Sequence, residues 1–234
     1  MRISFRPSLL ALIWFASTAS GIPVMAAEIA PRTIQTVAGM PALVDANNLY
    51  SETHADKMSP TVAKHLSRVY VPNRTSNDVW VIDPQTLKVV DKFKVGINPQ
   101  HVVPSWDLRT LWVNNNAEKR NDGSVTPIDP LTGKPGENIP VDDPYNMYFT
   151  PNGDAAIVVA EAHKRLDFRD PHTMAMKYSI ATPDCRGINH ADFSIERRHA
   201  TCTSQFPNSS VNSDLVDKKF IGHTEFFAGK AKTR

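Results

Sequence analysis

The chain has 234 residues, 41% hydrophobic and 21% charged, with 18 Pro against 10 Gly. A net charge of +2 leaves no electrostatic footprint for nucleic acid. The proline load excludes long helices and favours short strands joined by turns.

The chain opens with Arg2 and Arg6, the apolar run "LLALIWFA" from Leu9 to Ala16, and a small-residue end at "VMAAE". These are the parts of a secretory signal peptide, predicted over 1–27 with cleavage after Ala26 or Ala27. The run is short for a membrane span of about 20 residues, and Pro23 breaks its far end. The mature chain is therefore expected in a bacterial periplasm or secreted, with no membrane segment. An extension follows over 28–67, partly irregular, in which "THADKMSPTVAKHLS" has room for one short helix. His54 and His65 lie there at no ligand spacing.

From residue 68 the sequence repeats itself. "VIDPQTLKVV", "PIDPLTGKPG", "FRDPHTMAMK" and a weaker "NSDLVDKKFI" place Asp83, Asp129, Asp170 and Asp214 at spacings of 46, 41 and 44. "NPQHVVPSWDLR", "DPYNMYFTPNGD" and "GINHADFSIERR" follow at spacings of 45 and 44, and the apolar runs after them keep the same phase. Each unit reads as four short strands. A four-stranded unit of about 40–45 residues is the period of a β-propeller blade. The predicted fold is all-β: an antiparallel β-propeller of about four four-stranded blades, a partial or open ring. The blades are placed at 68–97, 98–142, 143–186 and 187–225, with a basic tail over 226–234.

"YVPN" (Tyr70 to Asn73) followed by "NDVWVIDPQTLKVVDKFKVGINPQHV" resembles the YVTN-type β-propeller repeat. Val79, Val81, Ile82 and Asp83 match its second strand, Thr86, Lys88, Val89 and Val90 its third, and Gly96 with Pro99 its return. "TPNGD" at Thr150 to Asp154 matches its turn. The resemblance extends to surface-layer propellers, quinoprotein amine dehydrogenase heavy chains and the haem-binding propellers of cytochrome nitrite reductases, and covers residues 68–225. It implies a fold; function belongs to the site.

The chain departs from the pattern in its fourth unit. "SIERRHA" stands where a turn with Gly or Asp is expected, and "SDLVDKK" lacks the Asp-Pro. The first unit lacks an inner strand unless residues 40–50 supply it. Rings of this family usually have about seven blades, and four blades would leave two flat apolar end faces. Three outcomes follow: a dimer that closes the ring, a tight four-bladed ring, or a shortened relative of a longer propeller, which is the favoured reading.

The inner strands place His101, Asn146 and His190 at one repeat position, where they would line one end of the channel. They are the candidate ligand-binding residues, and His101 with His190 is the candidate metal or haem-iron pair. The alternative is that they cap turns between blades. Glu161, Arg165 and Arg169 in "AEAHKRLDFRD" form a second candidate, a carboxylate and arginine fork at the rim, against the alternative of a solvated charged loop. Trp80, Trp106 and Trp112, with Tyr70, Tyr148 and Phe149, read as blade-to-blade packing.

Cys185 and Cys202 are the two cysteines. An oxidising compartment permits a disulfide between them; otherwise each is a small buried apolar residue. No Ser-His-Asp pattern, Gly-rich phosphate loop or paired-cysteine haem attachment is present, so no catalytic residue is assigned. The expected role is a binding or scaffold module for a protein or small ligand, without a cofactor. The alternative is a redox-linked periplasmic propeller holding a haem or transition metal.

Overall fold

The computed structural model describes residues 45, 51, 54–118, 120, 122–183, 185–194, 197–206 and 209–225. The leader, the tail and residues 40–50 apart from Asp45 lie outside the described residues. Where one short helix was expected, the chain makes two single 3-10 turns, Ala55–Lys57 and Pro60–Val62. Ser59 Oγ accepts from Thr61 N at 3.3 Å and starts the second.

Four antiparallel sheets follow in chain order. The first has three strands, β1 (Val69–Asn73), β2 (Asp78–Asp83) and β3 (Lys88–Lys94). The second has β4 (Pro99–Pro104), β5 (Leu111–Asn115), β6 (Ser124–Ile128) and β7 (Ile139–Pro140). The third has β8 (Pro144–Phe149), β9 (Ala156–Ala160), β10 (Arg165–Arg169) and β11 (Met176–Ala181). The fourth has β12 (Arg186–Phe193), β13 (His199–Phe206), β14 (Ser209–Asp214) and β15 (Lys219–Glu225). Every strand pairs with its chain neighbours, as in successive hairpins.

The first strands of the second to fourth sheets pack against one another, β4 on β8 and β8 on β12. Each also packs on the second strand of the sheet before it, β5 on β8 and β9 on β12. β1 packs on β4, and the Asp83 corner follows β2 as the Asp129 corner follows β6, so β1 matches β5, a second strand. Among the described residues the first sheet has no inner strand. The stretch that the repeat would assign to it, 57–62, carries the 3-10 turns.

The repeated aspartates do one job. Each accepts from backbone N–H groups two and three residues on: Gln85 and Thr86 on Asp83 Oδ1 at 2.9 and 3.0 Å, His172 and Thr173 on Asp170 Oδ1 at 3.0 and 2.8 Å, Val216 and Asp217 on Asp214 Oδ1 at 2.9 Å. Leu131 N donates to Asp129 Oδ1 at 2.8 Å. Such side-chain-to-backbone bonds replace a turn's own ladder. The residue four positions on is then left-handed in all four corners: Leu87 (φ 56), Gly133 (φ 72), Met174 (φ 60) and Lys218 (φ 53). The fourth corner closes without its proline.

The first hairpin of each complete sheet repeats too. Ser105 N, Thr150 N and Ser194 N donate to Thr110 O, Ala155 O and His199 O at 2.8, 2.9 and 3.0 Å. Leu108, Gly153 and Arg197 hold φ of 60, 77 and 60 in these turns. Ser194 and His199 therefore close as the equivalent pairs do without Gly or Asp, the hydroxyl of Ser194 accepting from His199 N at 3.0 Å as Thr150 Oγ1 does from Ala155 N.

Apolar clusters fill each junction between sheets. Val79, Val113 and Ile128 lie between the first and second. Trp112, Val125, Met147 and Val158 lie between the second and third. Ile157, Val159, Leu166, Phe168, Ile188 and Val211 lie between the third and fourth. Each such side chain contributes about 1.5–3 kcal/mol when fully buried.

Cys185 and Cys202 both sit in the last cluster as thiols, the second of the two readings that the sequence left open. Each occupies a small apolar position between blades. Burial, and Cys185 beside it, push the Cys202 thiol up to about 12.

The end faces differ from the sequence expectation. Thr201, Thr203, Ser210, Asn212 and Thr224 stand 44 positions after Ile157, Val159, Leu166, Phe168 and Ile180 of the third sheet. Thr201, Thr203 and Thr224 are exposed, and Thr201 Oγ1 and Asn212 Oδ1 lie 2.8 Å apart. The fourth sheet's outer face is thus polar, as a terminal repeat's is. The first sheet keeps an apolar outer face with exposed Val69, Trp80 and Val89, and Lys92 Nζ sits 3.9 Å over the Trp80 ring.

Candidate functional site

The candidate site is built at the start of the inner strands. Asn98, Asp143 and Gly187 enter them at φ of 55, 45 and 68. A register shift follows in each: between Pro99 and His101, between Pro144 and Asn146, and between Ile188 and Ala191. A bulge re-aims side chains locally, and here it recurs at the position that carries His101, Asn146 and His190.

His101 pairs across the sheet with Asn114. Its ring meets that of Tyr145 edge-on, centroids 5.4 Å apart at 75°, so it points to the third sheet. Its Nε2 is buried and holds no hydrogen bond among the described residues, and neither does either amide atom of Asn114, which is 0% exposed. Burial first, and the charge of His190 second, hold the His101 imidazole below its ordinary pKa. Its unpartnered nitrogen thus lies across the strand pair from an unpartnered buried amide.

Asn146 likewise faces the next blade. Its Nδ2 donates to the Tyr148 hydroxyl at 3.0 Å, and that hydroxyl lies 3.2 Å from Nδ1 of His190. The backbone N of exposed His190 donates to Thr203 Oγ1 at 3.1 Å. The three repeat-matched residues thus share one end of the inner strands. Asn146 reaches His190 through a tyrosine, and His190 reaches His101 through its field. Tyr148 was read from sequence as packing. Its place two residues after Asn146 on a strand, hence on the same face, was the available signal. Nothing in the sequence singled out Asn114.

Glu161 lies at the turn after β9, where Asp143 and Glu118 are near enough to add to burial in raising its carboxyl pKa. Arg165 and Arg169 lie on β10, two strands out from β8. Arg165 Nε donates to Asp167 Oδ1 at 2.8 Å, and its Nη2 to Asp142 Oδ2 at 2.9 Å. Arg169 Nη1 donates to Met174 O at 2.9 Å. Asp167 is 0% exposed and also accepts from Ser179 Oγ at 2.6 Å. The arginines therefore satisfy a buried carboxylate inside the blade, and the stretch is not a solvated loop. The Arg165 guanidinium is occupied within the chain, whereas Arg169 Nη2 lies 3.7 Å from Asp167 Oδ2 and its buried Nε has no hydrogen bond among the described residues. Breaking such a pair leaves an uncompensated buried charge, at about 3–5 kcal/mol.

Two imidazoles without a third donor make a poor metal cage. Among the described residues no group of three or more His, Cys, Asp or Glu is placed to hold a metal ion. A histidine nitrogen can hold a haem iron, however, and His101 Nε2 is unpartnered among the described residues.

No protein-family model matches this chain, and no curated protein matches it. Solved structures do. The chain is similar to hydrazine synthase of Kuenenia stuttgartiensis at 21% identity and a TM-score of 0.55, over 68% of this chain and 46% of that one. It is similar to the dihydro-haem d1 dehydrogenase NirN, at 20% identity and a TM-score of 0.52, over 69% and 35% of the two chains. A protein of unknown function from Desulfotomaculum acetoxidans matches at 14% identity and a TM-score of 0.53, over 68% and 53%. The chain spans about a third to a half of these neighbours. The likeness establishes the fold: antiparallel β-propeller blades in an unclosed ring.

Proposed function

We propose that this chain is an exported propeller of the YVTN type that binds a ligand or partner at the inner-strand end of its blades, through His101, Asn146 and His190. The observation that carries the reading is the orphaned, fully buried amide of Asn114 beside the free Nε2 of His101. Buried polar atoms without partners cost about 1–3 kcal/mol each. A ligand group, or ordered water that it displaces, would recover that cost. Tyr148 and Asn146 brace His190 at the same end.

The second reading is that the ligand is a haem, which His101 Nε2 would help to hold. It is favoured by the unpartnered imidazole and supported by a neighbour described as a dihydro-haem d1 dehydrogenase in complex with DHE. A haem would supply redox chemistry; the chain would supply one nitrogen and the hydrogen bonds of Asn114. The test is spectroscopic. The purified mature chain is titrated with haem and followed by absorbance, alongside His101→Ala. A Soret shift lost in the variant supports the second reading. No shift leaves the first, which is then tested by whether His101→Ala abolishes retention of whatever co-purifies from the periplasm. Retention unchanged in that variant would overturn both.

A further inference from the structure

The repeat brings equivalent grooves together at the opposite end of the blades. Between the second and third sheets the groove is lined by Ser105, Trp106, Asp107, Gly153, Pro171 and His172, and measures about 140 Å³. Trp106 fills it, lying against Gly153 so closely that a Cβ there would meet the indole at 2.6 Å. Moving on by one repeat turns those six positions into Thr150, Pro151, Asn152, Arg197, Leu215 and Val216. All six line a cleft between the third and fourth sheets that measures about 620 Å³. The indole has become Pro151 and the glycine Arg197, and the groove stands open.

Its lining is amphipathic. Tyr178, Leu215 and exposed Val216 form the apolar wall. Lys177, Arg197 and Lys218 stand around it, against one carboxylate among the described lining residues, that of Asp154. Lys218 Nζ lies 4.7 Å over the Tyr178 ring, and Lys177 Nζ donates to the Asp154 backbone carbonyl at 2.5 Å. Neither Arg197 nor Lys218 has a carboxylate partner among the described residues. A few convergent polar groups in a mostly apolar cleft of 300–1,000 Å³ is the form of a small-molecule site.

We propose that this cleft is a second binding site, distinct from the inner-strand end, and that it takes small aromatic anions. The ring would lie between Pro151, Tyr178 and Val216, and the carboxylate would meet Arg197 and Lys218. An arginine and a lysine recognise such a carboxylate by charge-assisted hydrogen bonds.

The probe is 2-naphthoate, titrated into the full mature chain by NMR or calorimetry. Glycine holds the equivalent left-handed positions elsewhere in the repeat (Gly153 and Gly133, for Arg197 and Lys218). Arg197→Gly with Lys218→Gly therefore removes both charges without straining either turn. Saturable binding is expected, weakened at least tenfold by that double variant and at least fivefold when neutral 2-naphthamide replaces the acid. Pro151→Trp, which copies the filled groove, should weaken it as well. His101→Ala should leave it within twofold, and this separates the cleft from the inner-strand site. No binding of 2-naphthoate, equal binding by the double variant, equal binding of the amide, or loss of binding in His101→Ala would each overturn the proposal.

Discussion

The hydroxyl of Tyr148, on the third blade, lies 3.2 Å from Nδ1 of His190 on the fourth, 42 residues further along the chain. It also accepts from Asn146, so one phenol ties two repeat-matched residues of different blades. Tyr148→Phe keeps the ring's packing and removes the tie. We expect a loss of about 1 kcal/mol in urea unfolding, together with displaced His190 ring resonances in the NMR spectrum. Unmoved resonances would show that the tie does not exist in solution.

His101 is held below its ordinary pKa by burial and by His190. In the unfolded chain a histidine titrates near about 6.5. Below that value the unfolded chain binds the proton more readily than the folded one, so stability falls as the pH descends from there through the lower folded value. Above it the contribution is complete. The urea midpoint should therefore drop on going from pH 7.5 to 5, and the drop should be smaller in His101→Gln. An identical pH profile in the two proteins would contradict the burial of this ring.

The Cys202 thiol is pushed up to about 12 by burial and by Cys185. Thiolate is the reactive form, so at pH 8 the folded chain should react with Ellman's reagent at least a hundredfold more slowly than the unfolded chain. Two thiols per chain should titrate after unfolding without reductant. Finding none would mean that the two are bridged.

Leu87 is 80% exposed and sits at φ 56, where the equivalent corner of the second blade has Gly133. A left-handed L-residue costs roughly 1–2 kcal/mol, and glycine loses about 0.5–1 kcal/mol in chain entropy. Leu87→Gly should stabilise by about 0.5–1 kcal/mol, read from the thermal midpoint. Destabilisation would mean that Leu87 makes a contact this geometry lacks.

The two end faces predict how copies meet. The first blade presents Val69, Trp80 and Val89, and the fourth presents Thr201, Thr203 and Thr224. Head-to-tail closure would set hydroxyls against valines and an indole, a poor match. Any self-association seen by sedimentation should therefore be lost in Trp80→Asp and kept in Thr203→Asp. The reverse pattern would restore a ring closed through the fourth blade.

The sequence by itself determined the blades. A period near 44 is written in short-range chemistry: an aspartate that caps a turn, a hydroxyl that closes a hairpin, alternating apolar residues between them. These act within five or six residues, so Asp83, Asp129, Asp170 and Asp214 are readable in a string of letters. The period also matched His101, Asn146 and His190 to one another, because equivalent residues on equivalent strands reach one end of the array. Only the tertiary structure decided what those residues touch. The bulge in each inner strand turns His101 toward the third blade and Asn146 toward the fourth, and no letter marks a one-residue shift of register. It also decided that Arg165 and Arg169 serve a buried Asp167, and that Cys185 and Cys202 remain thiols. The groove that Trp106 fills between one pair of blades stands open between the next. The Arg165–Asp167 bond lies within one strand, but the burial of Asp167 and the other outcomes depend on side chains more than ten residues apart in sequence, brought together when sheets and strands pack.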